Sequence, residues 1–94
     1  MSFIIKELVK NKLKQISANE LLQYGKQYGF TLSQNQASEI THFLRNNTLD
    51  PFQTKDREEM FRKLAEITDI ETAKQARKLL DEIIKSYGLA YLFE

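Results

Sequence analysis

The run DIETAKQARKLLDEIIKSYG, residues 69–88, decides how this chain folds. Turning 100° per residue from Ile70 puts Ala73, Ala76, Leu80, Ile83, Ile84 and Tyr87 on one face. Glu71, Lys74, Lys78, Asp81, Glu82 and Lys85 fall on the opposite one. The spacing predicts a single amphipathic helix from Asp69 to Tyr87, stopped at Gly88. A rod of that length, roughly 27 Å, is about as wide as a small domain, so the shorter helices upstream are expected to use it as their packing wall.

Working back towards the N-terminus, about Lys55 to Ile67 reads as a fourth helix burying Met60, Phe61, Leu64 and Ile67. Its outer face sets Glu58 before Arg62 and Glu59 before Lys63, each acid four residues ahead of its base, the favourable order for a helix pair. Thr68 or Asp69 caps the last helix, and Thr68 with Glu71 offers a capping box. Thr48 to Thr54 is the one real break, where Asp50-Pro51 predicts a short turn. The third helix starts at the Ser33 and Gln36 capping box, turns Ala37, Ile40, Phe43 and Leu44 inward, and stops near Asn46.

The second helix opens on the Ser17 and Glu20 box, buries Leu21, Tyr24, Gly25 and Tyr28, and ends at Gly29. Gly25 inside it costs about 1 kcal/mol relative to alanine, so close approach of another helix is expected there. In the first helix Ile5, Leu8, Val9, Leu13 and Ile16 share a face, while Lys6, Lys10 and Lys14 stack on another. Lys12 falls inside the apolar face, and Phe3 and Ile4 lie off the stripe. The outcome is an all-α single domain, residues 1–94, a bundle of about five helices with the C-terminal one longest.

With 41% hydrophobic and 29% charged residues, the chain has enough apolar material for one modest core and is not a disordered sequence. It has no cysteine, which removes disulfides, thiolate metal sites and thiol catalysis and fits a reducing compartment. No apolar run approaches a membrane span, and Met1 to Leu13 has no signal-peptide pattern, so a cytoplasmic protein is expected. Asn46-Asn47-Thr48 matches a glycosylation acceptor that a cytoplasmic protein cannot use.

The formal net charge of +1 excludes the global positive field of a dedicated nucleic-acid binder. Locally, Lys6, Lys10 and Lys14 form a basic stripe, a candidate contact for an anion or nucleic acid. Leu21 to Asn46 also has the outline of a helix-turn-helix, whose second helix would present Gln34, Asn35, Ser38, Glu39, Thr41, His42 and Arg45. One arginine and one acid offer phosphate little attraction, and the connection from Gly29 to Ser33 is long for that motif. Two consecutive short helices are more often a plain helical hairpin.

Catalysis has little to work with. His42 is the only histidine, and no nucleophile turn, glycine-rich phosphate loop or calcium-loop spacing occurs. No catalytic, cofactor-binding or metal-ligating residue is expected, and the chain reads as non-enzymatic. Its strongest functional signal is the C-terminal strip, where Leu89, Tyr91, Leu92 and Phe93 crowd apolar surface into residues 89–94. Such a strip either folds back over the core or docks on a second copy or another protein.

The segments Leu13-Lys14-Gln15-Ile16-Ser17, Glu20-Leu21-Leu22, Lys26-Gln27-Tyr28-Gly29, Gln36-Ala37, Ala65-Glu66-Ile67-Thr68 and Glu71-Thr72-Ala73 resemble the YqfT-like family of short uncharacterised proteins from Bacillus-type Gram-positive bacteria. The resemblance spans roughly residues 8 to 80 and implies a small cytosolic helical protein with no known activity to carry over. The tail after Gly88 lies outside it. Together these readings point to a protein–protein interaction or self-associating adaptor module, possible as a dimer, with a weak nucleic-acid binder as the alternative.

Overall fold

Residues 2–94 are described by a computed structural model. Five α-helices follow one another: α1 (Ser2–Gln15), α2 (Ala18–Gln27), α3 (Gln34–Asn46), α4 (Thr54–Ile67) and α5 (Ile70–Ser86), with a final 3-10 turn at Ala90–Leu92. α5 is the longest, as its periodicity predicts.

The caps are largely those written in the sequence. Ser17 Oγ accepts the Glu20 N–H at 3.1 Å while Glu20 Oε1 accepts the Ser17 N–H at 3.0 Å, and Ser33 and Gln36 do the same for α3. At α5 the cap is Asp69, whose carboxylate accepts the Thr72 N–H at 2.6 Å. Thr68 does not build a box, because its hydroxyl donates back to the Leu64 carbonyl at 2.6 Å and closes α4 instead. Gly29 (φ 84°) and Gly88 (φ 64°) end α2 and α5 in the left-handed conformation. The Phe30 N–H reaches the Gly25 carbonyl at 2.7 Å, and the Leu89 N–H reaches that of Ile84 at 2.9 Å, the crossing bonds of a Schellman ending.

Packing departs from expectation in one important way. The hub of the bundle is α3, which packs on α1, α2 and α4, whereas α5 packs closely on α4 alone. Small side chains explain the choice: Ala37 is fully buried and Thr41 nearly so, and their size lets neighbours approach α3 from several sides. Thr41, counted from the sequence among the outward residues, turns inward and satisfies its hydroxyl by donating to the Ser38 carbonyl at 3.0 Å. α5 is therefore a flank of the bundle, not its wall.

The break before α4 is a turn that serves the core. Gln53 N–H donates to the Asp50 carbonyl at 3.1 Å across Pro51, and the Asp50 side chain accepts the Phe52 N–H at 2.9 Å. This swings Phe52 inward to 2% exposure. After Gly88 the tail doubles back, buries Leu92, and sets the Phe93 ring 4.8 Å from that of Phe52. Gln53 provides α4 with no side-chain cap. The tail does so: Glu94 Oε1 accepts the Thr54 N–H at 3.3 Å, and the Glu94 N–H donates to the Phe52 carbonyl at 2.9 Å.

Two local expectations are corrected. Glu58 does not pair with Arg62, nor Glu59 with Lys63. Arg62 lies between Glu59 and Glu66, Lys63 reaches Glu66 at 3.6 Å, and Glu58 instead bridges to Arg77 of α5. Gly25 is approached by the connector, with Phe30 and Leu32 at 3.6 and 3.7 Å from where a Cβ would stand, and not by another helix.

Candidate functional site: an apolar trough along α5

α5 is held on α4 by its Arg77 side. Arg77 donates to both carboxylate oxygens of Glu58, at 2.5 and 3.1 Å, and its guanidinium lies 4.5 Å from the centre of the Phe61 ring. Ala76, Leu80 and Ile83 share the apolar stripe of α5, with Arg77 at its edge one turn before Leu80. Among the described residues only α4 packs closely on α5, and Ala76, Leu80 and Ile83 line a groove on either side.

One groove, of about 380 Å³, is walled by Ile5, Val9 and Leu13 of α1 and reaches Leu89 and Leu92 in the tail. The other, of about 340 Å³, is walled by Leu21, Tyr24 and Tyr28 of α2 and by Phe30 and Leu32 of the connector. Both walls are almost wholly apolar. Tyr24 and Tyr28 stand about half exposed at the rim, the placement of aromatic residues with one apolar and one wet end. Beside the first groove, α1 carries a separate apolar ridge: Phe3, Ile4 and Leu8 are 70%, 58% and 65% exposed.

The sequence-predicted residues are distributed differently from one another. In the tail, Leu92 is buried in the chain's own core, Phe93 is half-buried against Phe52, Leu89 lines the first groove, and Tyr91 points to solvent. Tail packing on the core is thus the arrangement adopted by Leu92 and Phe93. In the basic stripe, Lys6 lies over the Phe52 ring at 5.6 Å, Lys10 pairs with Glu7 at 3.3 Å, and Lys14 donates to the Thr48 hydroxyl at 3.0 Å. Lys10 and Lys14 border a polar hollow of about 250 Å³ with Asn11 and Asn47. Lys12 leaves the apolar face by reaching Glu20 at 2.7 Å. His42 is exposed, beside Glu39, Ser38 and Lys63 in a shallow surface hollow.

Charge perturbation lies away from the trough. The Lys12 ammonium, then the Ser17 N–H, hold the Glu20 carboxyl below its ordinary range, and Glu20 raises Lys12 in turn. Arg77 lowers Glu58, Arg62 lowers Glu59, and the Thr72 N–H lowers Asp69. None of these shifted side chains lines either groove, although Thr72 itself borders the α2-side one. Among the described residues no three histidine, aspartate or glutamate side chains gather in a way that could hold a metal ion.

The trough was only half visible in the sequence. Its floor is the stripe of residues 69–88, and Leu21, Tyr24 and Tyr28 were legible as an apolar face of α2. That no helix would close over the floor depends on α3 taking the hub position, for which the signal was the small residues Ala37 and Thr41.

Comparison with known proteins places the chain within a family. A family model described as a protein of unknown function (DUF2624) matches residues 1–84. The chain belongs to the DUF2624 family. The uncharacterised protein YqfT of Bacillus subtilis (strain 168) is 29% identical over 79 residues, covering 84% of this chain and 94% of the relative. No solved structure matches the chain. The family match takes in α1 to α4, the trough floor and the walls from α1, α2 and the connector, and stops before the tail at Leu89 to Phe93. No helix among the described residues is long and apolar enough to cross a membrane.

Proposed function

We propose that this DUF2624 member is a non-enzymatic protein–protein interaction module of the cytoplasm whose working surface is the apolar trough along α5. The observation that carries this reading is that Ala76, Leu80 and Ile83 line both grooves at once. An amphipathic helix whose stripe is left without a covering helix retains apolar surface for a partner. The absence of cysteine agrees with the cytoplasm.

The nucleic-acid alternative rests on Lys6, Lys10 and Lys14. Lys10 is paired with the Glu7 carboxylate, which offsets its charge, while Lys6 lies over an aromatic ring and Lys14 donates to a hydroxyl within the chain, so a phosphate would have to compete with these contacts.

Capture by the tagged intact chain from the source cytosol, at low and physiological salt and with and without nuclease, tests the reading. A protein held through physiological salt and nuclease by the wild type, and released by Leu79→Glu, a residue of α5 that lines the α2-side groove, supports it. Recovery that disappears with nuclease or with salt overturns it in favour of nucleic acid.

A further inference from the structure

Residues 89–94 are held to the bundle at few points. At Gly88 (φ 64°), where they leave α5, no packing atom lies within 4 Å of where a Cβ would stand. At the far end three hydrogen bonds converge on Glu94. Its N–H donates to the Phe52 carbonyl at 2.9 Å, its Oε1 accepts the Thr54 N–H at 3.3 Å, and its backbone oxygen accepts from Arg57 Nη2 at 2.7 Å. Between these ends Leu92 is buried and Phe93 half-buried, while Ala90 and Tyr91 are exposed. The Leu92 and Phe93 N–H groups donate to the Leu89 and Ala90 carbonyls, within the tail itself, so they need not break when it moves as a unit.

Opening such a segment disturbs little else. The Thr54 N–H that Glu94 would release stands at an exposed helix start, where water can take over the cap. A segment held by one buried side chain, one ring pair and exposed hydrogen bonds opens at lower free energy than the bundle beneath it. Leu89, Leu92 and Phe93 also form one wall of the α1-side groove, over the α5 floor, whereas no tail residue lines the α2-side groove. The family match, residues 1–84, takes in that floor and the α1 wall but not the tail.

We infer that residues 89–94 are a strap that lifts about Gly88 as one unit while the five helices stay folded, turning the α1-side groove from a walled hollow into an open apolar face. The strap's motion stands on its packing alone. Its use rests on the interaction reading above: a partner that spans both grooves must lift the strap, and one confined to the α2 side need not.

Native-state hydrogen exchange of the intact chain, followed residue by residue by nuclear magnetic resonance as urea is raised below the unfolding transition, tests the motion. The amides of Leu92, Phe93 and Glu94 are all hydrogen-bonded in the closed chain. They are expected to share one opening free energy, with protection factors at least about tenfold below that of Thr41 in the middle of α3. Their dependence on urea should also be weaker, because a short segment exposes little surface. Protection equal to that of Thr41, with the same urea dependence, overturns the strap, because the tail then opens only with the whole bundle. Three unrelated protection factors overturn it too, leaving a frayed end in place of a unit.

Leu92→Glu, which holds the strap open, tests what the motion uncovers. The expected variant keeps the wild-type far- and near-ultraviolet circular dichroism, loses protection at the tail amides alone, and binds an anilinonaphthalene sulfonate dye several-fold more strongly than the wild type or Tyr91→Glu. Loss of the near-ultraviolet signal means the core has gone with the tail and overturns the strap. A retained signal without added dye binding overturns the opened groove. The capture experiment uses neither measurement, so failure here leaves the interaction reading standing, and failure there leaves the strap.

Discussion

Arg57 Nη2 donates to the backbone oxygen of Glu94 at 2.7 Å, joining residues 37 apart in sequence and tying the tail to the first turn of α4. The same guanidinium stands 5.6 Å from the Phe93 ring and donates to the Pro51 carbonyl, so one side chain holds the turn, the helix start and the tail together. The tail is a structural element of this fold.

Its contribution can be measured. Leu92 is 2% exposed, and Leu92→Ala should cost about 2–5 kcal/mol in urea unfolding through lost burial and the cavity left behind. Tyr91→Ala, one residue away but 68% exposed, should change stability little. Equal effects at the two positions would contradict the packing.

The glycines separate by backbone conformation. Gly25 is helical, and a Cβ there would meet Phe30 and Leu32 at ordinary contact distance, so Gly25→Ala should raise stability by about 0.5–1 kcal/mol. Gly29 and Gly88 have positive φ, and alanine at either should destabilise by about 1 kcal/mol. Thermal or urea midpoints of the three variants give the signs directly.

The helices were legible in the sequence because their signals are local. Ser17 with Glu20, Ser33 with Gln36, and Gly29 and Gly88 act within a few residues of one another, and each was found where its spacing placed it. The registers of ion pairs were less legible: Glu58 chose Arg77 over Arg62, because the facing helix brought a bidentate partner within reach. Which helix would be central was not legible, since the clean two-sidedness of residues 69–88 says that α5 has an apolar face and not what covers it. Part of the candidate site followed from residue pattern, as Leu80 and Leu21 show, whereas Tyr24 and Tyr28, expected to be buried, stand about half exposed at the rim. The rest follows from tertiary packing around Ala37 and Thr41, and the ridge at Phe3 and Ile4 showed in the pattern only as residues off the stripe.

Acid should weaken the fold through the carboxylates that the folded state holds low: Glu20, Glu58, Glu59 and Asp69. A carboxyl whose folded pKa lies below its unfolded value stabilises at pH above the unfolded value, about 4, and loses that contribution as pH falls through the folded one. The urea midpoint should therefore drop below about pH 4. Asp69→Asn retains a side chain able to cap α5 but removes one titrating group, so its midpoint should fall less steeply with acid. An identical slope would show that Asp69 does not contribute.

Ser17→Ala removes the oxygen that accepts the Glu20 N–H and should cost about 1 kcal/mol. Glu20 also holds Lys12 across the junction of α1 and α2, so the loss should exceed that of Asn19→Ala, an exposed neighbour with no cap role. Paired urea titrations compare the two.

The central claim is that the apolar trough along α5 holds a protein partner, and the most direct test is capture by the tagged intact chain from the source cytosol at physiological salt with nuclease present. The account predicts a protein held by the wild type and released by Tyr28→Glu at the exposed rim of the α2-side groove. Recovery that disappears with salt or nuclease would contradict it.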